Sequence, residues 1–215
     1  TGYTGLVSLG HAAFLGIGAY THSYFLGLGV PFLFSLSISV LFSSLIGMLL
    51  AIPALRVTGI YLAVATLAFS IIVEQILSHW VSVTGGYRGM LVPEPKIGNL
   101  SLKSHTTFYL ICLAFFSSSI LLGLNILRSP VGRAMTAVRD SEISAQSMGI
   151  NLAKIKTIAF AISAGFTGLA GGLLAHKIGY LAPDSFNLLI SIQLLLMVVV
   201  GGLGSLHGAV YGAIF

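Results

Sequence analysis

Residues 32–52 read FLFSLSISVLFSSLIGMLLAI, twenty-one consecutive positions without an Asp, Glu, Lys or Arg. As an α-helix this stretch rises about 31 Å, which matches the ~30 Å hydrocarbon core of a bilayer. Similar charge-free runs cover 1–55, 57–73, 104–127, 157–176 and 185–215, and the 215-residue chain holds only 10 Lys+Arg and 5 Asp+Glu. Charged residues make up 7%, against roughly 25% in a soluble domain, so a soluble surface cannot be built from them. The chain therefore reads as all-α, a polytopic helical membrane protein. A membrane β-barrel is excluded, because its strands alternate in polarity over segments of about ten residues. Cys112 is the single cysteine, which excludes a disulfide scaffold within the chain. The net charge of +5 includes no run of basic residues, so it fits loop charge facing anionic headgroups and not a nucleic-acid partner.

Six full spans fit, at about 6–27, 32–52, 57–78, 107–127, 157–176 and 187–203, with the start of a seventh near 206. Gly27-Leu28-Gly29-Val30-Pro31 separates the first two, and Pro53 with Arg56 separates the next. Residues 1–215 form one transmembrane domain. Thr1 in place of an initiator methionine, and the half-span at 205–215, give the expectation of a domain truncated at both ends. Arg56, Arg128, Arg133, Arg139, Lys154 and Lys156 fall on one side, and Arg88, Lys96, Lys103 and Lys177 on the other. The positive-inside rule puts 53–56 and 128–156 in the cytoplasm. Small residues at Ala12 and Gly16, at Gly168 and Gly172, and at Gly204, Gly208 and Gly212 mark close helix contacts. Some of these glycines are alternatively helix breaks beside a pathway, where irregular backbone lines a cavity.

Residues 128–156 are the one long polar segment on the basic side. Ser129-Pro130 is a helix start, serine as N-cap and proline at the first helical position. Gly149 supplies a stop and Asn151 a cap for the helix that follows, so one helix is expected over about 131–148. Ala134, Val138, Ala145 and Met148 keep one apolar face, and Arg139 and Glu142, three apart, are placed to pair. Such a helix is either a solvated linker at the headgroups or a docking element for another protein. It lacks the Trp, Phe and Leu of a deep interfacial anchor.

Glu74 is the one carboxylate inside a span, a functional suspect by default unless it merely snorkels from the outer end. His11, in the glycine-rich first span with Ser8 and Gly10, is either a packing histidine bonded to a backbone carbonyl or a substrate ligand. Thr84, Gly85 and Gly86 lie in the loop 79–106, where they shape the outer mouth or a docking surface. No catalytic or metal-ligating spacing is present. His11 and His22 share a helix face, but about 16 Å separates them along the axis.

SLGHAAFLGIGAYT at 8–21, LRVTGIYLAVATLAFSIIVEQI at 55–76, TGGYRGM at 84–90, GRAMTAVRDSEISAQSMGINLAKIK at 132–156 and LLMVVVGGLGSLHGAVYGAIF at 195–215 resemble the permease subunit of bacterial branched-chain amino acid ABC transporters, of the LivM type. The resemblance implies an inner-membrane, multi-pass importer subunit for neutral aliphatic amino acids. The implied partners are a sister permease subunit, two cytosolic ABC ATPases and a periplasmic solute-binding protein. ATP with Mg would then sit in the ATPase, since this chain carries no phosphate-binding glycine loop followed by Lys-Ser/Thr, and it binds no cofactor itself. The resemblance puts ATPase coupling on the cytoplasmic segment 128–156, at Arg133, Val138, Arg139, Asp140, Glu142, Ala145 and Gly149. Ser8, Gly10, His11, Glu74, Thr84, Gly85 and Gly86 are the pathway or gating candidates. Related permeases handle urea or short amides, an alternative substrate class. An ion-coupled carrier would need ionisable groups near the bilayer centre, and an intramembrane enzyme would need a convergent nucleophile and base.

Overall fold

The computed structural model describes residues 2–6, 8–54, 59–97, 100–101 and 105–215. Arg56 and Lys103, two of the charges that orient the chain, lie outside the described residues, as do the first four positions, 55–58, of the stretch at 55–76. Among the described residues, ten α-helices run α1 His11–Gly27, α2 Phe32–Ala54, α3 Ile60–His79, α4 Val81–Thr84, α5 His105–Arg128, α6 Pro130–Asp140, α7 Glu142–Ser147, α8 Leu152–Ile178, α9 Leu188–Gly201 and α10 Leu206–Ile214. Two two-residue ladders, β1 (Met90–Leu91) on β4 (Tyr180–Leu181) and β2 (Lys96–Ile97) on β3 (Leu100–Ser101), are antiparallel trim on the loops. The chain is all-α in architecture, as its composition predicts.

Among the described residues, five segments are long and apolar enough to cross a bilayer: Phe32–Pro53, Ile60–His79, His105–Arg128, Leu152–Ile178 and Pro183–Gly201. The expected first span over 6–27 is shorter, because α1 begins only at His11 and its 17 residues rise about 26 Å. The cause lies in α3 and α9. Thr66 Oγ1 accepts from the Leu9 amide at 2.9 Å, Ser70 Oγ donates to the Leu9 carbonyl at 3.2 Å, and Ser191 Oγ accepts from the Ala12 amide at 2.9 Å. Non-helical backbone is tolerated at depth where side chains satisfy it, so residues 8–10 need not join the helix. The expected span at 187–203 falls on α9, and the 3-10 turn at Pro183–Phe186 before it extends the apolar segment to Pro183–Gly201.

The core is the packing of α8 against α1 and α2. α2 shows how the bundle inverts a soluble protein's pattern. Ser35, Ser39 and Ser43, four apart, are buried against α1 and α8, while Leu33, Phe34, Leu41, Phe42, Leu45 and Leu49 point outward. Lipid rewards apolar surface as well as any core does, so small residues that let backbones meet take the interface. A Cβ on Gly18 would lie 2.3 Å from the Gly168 carbonyl oxygen, one on Gly168 2.3 Å from Ser43 Oγ, and one on Gly171 2.1 Å from the Leu15 carbonyl oxygen. Ser39 Oγ lies within hydrogen-bond reach of the carbonyls of Gly18 and Gly168, at 2.9 and 3.2 Å. The glycines of α8 are therefore packing glycines inside an unbroken helix. Gly208 and Gly212 serve the α9–α10 contact, and Gly204, at φ +87, makes the turn between those helices. Gly16 instead meets the side chains of Phe186 and Leu77.

The C-terminal ends of α1 and α8 are joined by a polar clasp. Ser35 Oγ lies 2.9 Å from both the Phe32 carbonyl oxygen and His22 Nδ1, and His22 Nε2 lies 2.8 Å from His176 Nε2. The hydroxyl has one proton, which goes to the carbonyl. His22 Nδ1–H then donates to Ser35, and His176 Nε2–H donates to the His22 Nε2 lone pair. Gly171→Val is expected to destabilise the bundle by about 1–3 kcal/mol, seen as a lower thermal midpoint in detergent by circular dichroism. Gly179→Asn, at φ +75 with open space around it, should shift stability by less than about 1 kcal/mol.

Candidate functional site

The cytoplasm-assigned segment has the predicted ends and a different middle. Ser129 Oγ accepts from the Gly132 amide at 3.3 Å with Pro130 at the first helical position, Gly149 takes φ +84, and Asn151 Oδ1 accepts from the Lys154 amide at 3.0 Å. The single helix expected over 131–148 is broken. Ser141 is extended, φ −161 and ψ 114, and its side chain accepts from the Ser144 amide at 3.2 Å. It ends α6 and caps α7, an N-cap role that serine prefers to a helix interior.

The break re-pairs the charges. Glu142 no longer shares a helix face with Arg139, so the expected Arg139–Glu142 pair does not form. Arg139 bonds its neighbour Asp140 at 3.0 Å, and Glu142 holds Lys156 at 2.8 Å. Lys156 is buried, 4% exposed, in the first turns of α8. A buried ammonium requires a partner, so the pair ties α7 to α8 beside a cleft of about 440 Å³ lined by Glu142, Gln146, Asn151 and Ala153.

Burial sorts the predicted coupling residues. Val138 and Ala145 are each 2% exposed and pack with Met135 and Ile155, holding α6, α7 and α8 together. Arg133 reaches back to the Arg128 carbonyl at 3.0 Å, and Arg139 lays its aliphatic stem near Gly5 and its guanidinium near Gly204. Met148, expected on the packed face, is instead 81% exposed, as is Ile143. Two large apolar side chains thus stand outward on α7 and its C-cap. Periodicity across an unbroken helix does not find them, although Ser141 followed by the acidic Glu142 is itself an N-cap signal.

The pathway candidates divide between two places. Ser8, Gly10 and His11 gather at the N-terminal start of α1. His11 Nδ1 lies 3.2 Å from the Ser8 carbonyl oxygen, the backbone bond expected of a packing histidine, and Nε2 lies 3.5 Å from Ser163 Oγ. Three cavities meet here. A small one is lined by Thr4, Ser8, His11, Phe160 and Ser163. One of about 260 Å³ lies between α1, α8 and α9, lined by His11, Leu15, Phe166, Thr167, Leu194 and Val198. A third of about 160 Å³ reaches Ile126, Leu127, Met135 and Leu206 at the level of α6. His11, Ser163 and Phe166 each line two of the three.

Glu74 lies elsewhere, half-buried on α3, on the wall of none of these three cavities. Thr84, Gly85 and Gly86 form a closed cap on α3. The buried Thr84 hydroxyl sits 2.6 Å from the Leu77 carbonyl oxygen and 2.8 Å from that of Trp80, and accepts from the Gly86 amide at 3.2 Å. Gly85 and Gly86 have φ +76 and +61, and a Cβ on Gly85 would lie 2.2 Å from the Gly89 carbonyl oxygen. This loop exposes Trp80, Val81 and Tyr87. Among the described residues no group of three metal-ligating side chains is present.

Compared with known protein families, residues 1–215 match the one described as "Branched-chain amino acid transport system / permease component". The chain is 36% identical over 240 residues to the high-affinity branched-chain amino acid transport system permease protein LivM of Salmonella typhimurium and to that of Escherichia coli, covering 99% of this chain and 56% of each relative. To the Escherichia coli permease protein LivH it is 28% identical over 146 residues, 64% of this chain and 47% of the relative. The chain thus spans little more than half the length of the LivM proteins it matches. No solved structure matches.

Glu142→Gln and Lys156→Met are each expected to lower stability by about 1–3 kcal/mol, the scale of a hydrogen bond to a charged group. The double variant should recover part of the Glu142→Gln loss, because no lysine is then left buried and unpaired. Thermal unfolding of the four proteins in one detergent measures the coupling.

Proposed function

Since the chain belongs to the family of branched-chain amino acid transport system permease components, we propose that it is a membrane-spanning subunit of an ATP-driven importer in the bacterial inner membrane. It carries branched-chain amino acids delivered by a periplasmic binding protein. A sister permease subunit completes the pathway, in keeping with the partial similarity to LivH, and two cytosolic ATPases drive it. In this reading α1 and α9 count as spans beside the longer helices, giving six and the start of a seventh, and the segment 128–156 faces the cytoplasm.

The observation that carries the proposal is the platform made by α6 and α7. It is fixed to α8 from below by Val138, Ala145 and the Glu142–Lys156 pair, yet it turns Ile143 and Met148 outward. A solvated linker has no reason to present two large apolar side chains, whereas a cleft in an ATPase does. The coupling role of Val138, Ala145, Glu142 and Gly149 is then to hold the platform's shape. ATPase closure pushes α7, the ion pair passes the push to α8, and α8 moves beside the cavities at His11. Two packed arrangements biased from one side form the two-state element that alternating access needs.

The full-length protein, assembled with its partner subunits in vesicles, is expected to take up leucine only when ATP is supplied on the ATPase side. Ile143→Asp and Met148→Asp should each lower that uptake by about tenfold or more, with insertion and subunit assembly retained. Uptake that runs on an ion gradient without ATP would sink the proposal, and uptake unchanged in both variants would remove the docking surface.

A further inference from the structure

A carbonyl oxygen only accepts, so the contact with Ser8 puts the proton of His11 on Nδ1 and leaves Nε2 with a lone pair. Its nearest partner, Ser163 Oγ, stands at 3.5 Å, the outer limit of a hydrogen bond. A basic nitrogen deep in a helix bundle is therefore weakly engaged and opens on the 260 Å³ cavity, whose wall also includes Leu15, Phe166, Thr167, Leu194 and Val198. The Thr167 hydroxyl is occupied by the Ser163 carbonyl at 2.8 Å, so His11 supplies the polar end and the rest is apolar. Among the described residues, no Asp, Glu, Lys or Arg lines any of the three cavities that meet at His11 and Ser163.

We propose that this junction is a binding site for a zwitterionic α-amino acid with an aliphatic side chain, and that His11 and Ser163 hold its head group. The ammonium donates to His11 Nε2. The Ser163 hydroxyl, released from that nitrogen, turns to donate to the carboxylate, and the side chain enters the cavity between Leu15, Phe166, Leu194 and Val198. A neutral site suits a ligand whose own charges cancel, and a charged donor gains about twice what a neutral amide would from the imidazole lone pair. A urea-sized molecule would leave the apolar wall uncovered. The inference rests on the transport reading above and names the substrate site within it.

The test is equilibrium binding of radiolabelled leucine to the complete permease–ATPase complex in nanodiscs, without the delivering protein. His11→Leu is expected to weaken binding roughly 10- to 100-fold, the range for losing a hydrogen bond to a charged group. Ser163→Ala should weaken it less, and His11→Gln, which keeps an acceptor, should retain most of it. On the unaltered complex, 3-methylbutylamine should displace leucine far better than 4-methylpentanoate, a comparison that needs no variant to fold. Wild-type affinity in His11→Leu, the reverse order of competitors, or no leucine binding by the wild-type complex overturns the site. ATP-driven uptake by the same wild-type complex is measured in parallel; if it persists while the binding result fails, only this site is lost and the transporter reading stands.

Discussion

The structure depends on how closely the backbone of α8 approaches those of α1 and α2. Gly18, Gly168 and Gly171 meet carbonyl groups or a serine side chain at distances no Cβ tolerates. A bilayer offers no hydrophobic force between helices, so close contact must come from shape and hydrogen bonding. Glycine supplies the shape and Ser39, set between the carbonyls of Gly18 and Gly168, supplies the bond. With those three helices locked, apolar residues can be spent on the lipid face, and α5 has no buried residue at all.

This contact also determines what α8 can do. Its 27 residues rise about 40 Å, from the ion pair at Lys156, past the cavities at Ser163 and Phe166, to the histidine clasp at His176. The helix is unbroken throughout. A displacement at its N-terminal end therefore reaches the cavities as rigid-body motion and is not absorbed by a kink. Compliance lies in the shorter parts, where α1 begins mid-bundle at His11 and α9 turns into α10 at Gly202 and Gly204.

What the sequence reveals is what depends on neighbours along the chain. Charge-free length marks α2, α3, α5 and α8, and local capping chemistry marks Ser129-Pro130, Gly149 and Asn151. What it hides depends on neighbours in space. The helix start at His11 is decided by Thr66, Ser70 and Ser191, 57 to 179 positions away from their backbone partners. His22 and His176 are 154 apart, and His11 paired in thought with His22 misses both of their real partners. The break at Ser141 was a local signal overridden by expecting apolar periodicity to continue, and with it went the Arg139–Glu142 pair and the inward placement of Met148.

That break explains why the segment is built in two pieces. A continuous helix over 131–148 would hold its whole apolar face in one plane, against either the membrane protein or a partner. The extended residue at Ser141 rotates α7 relative to α6. Val138 and Ala145 can then both point into the core with Met135 and Ile155, while Ile143 and Met148 point out. The Glu142–Lys156 pair is the consequence: with α7 turned, its first carboxylate reaches α8 and neutralises a lysine that burial would otherwise forbid. A displacement of α7 would therefore bear on α8 through a short ion pair whose lysine is buried and whose carboxylate is partly exposed.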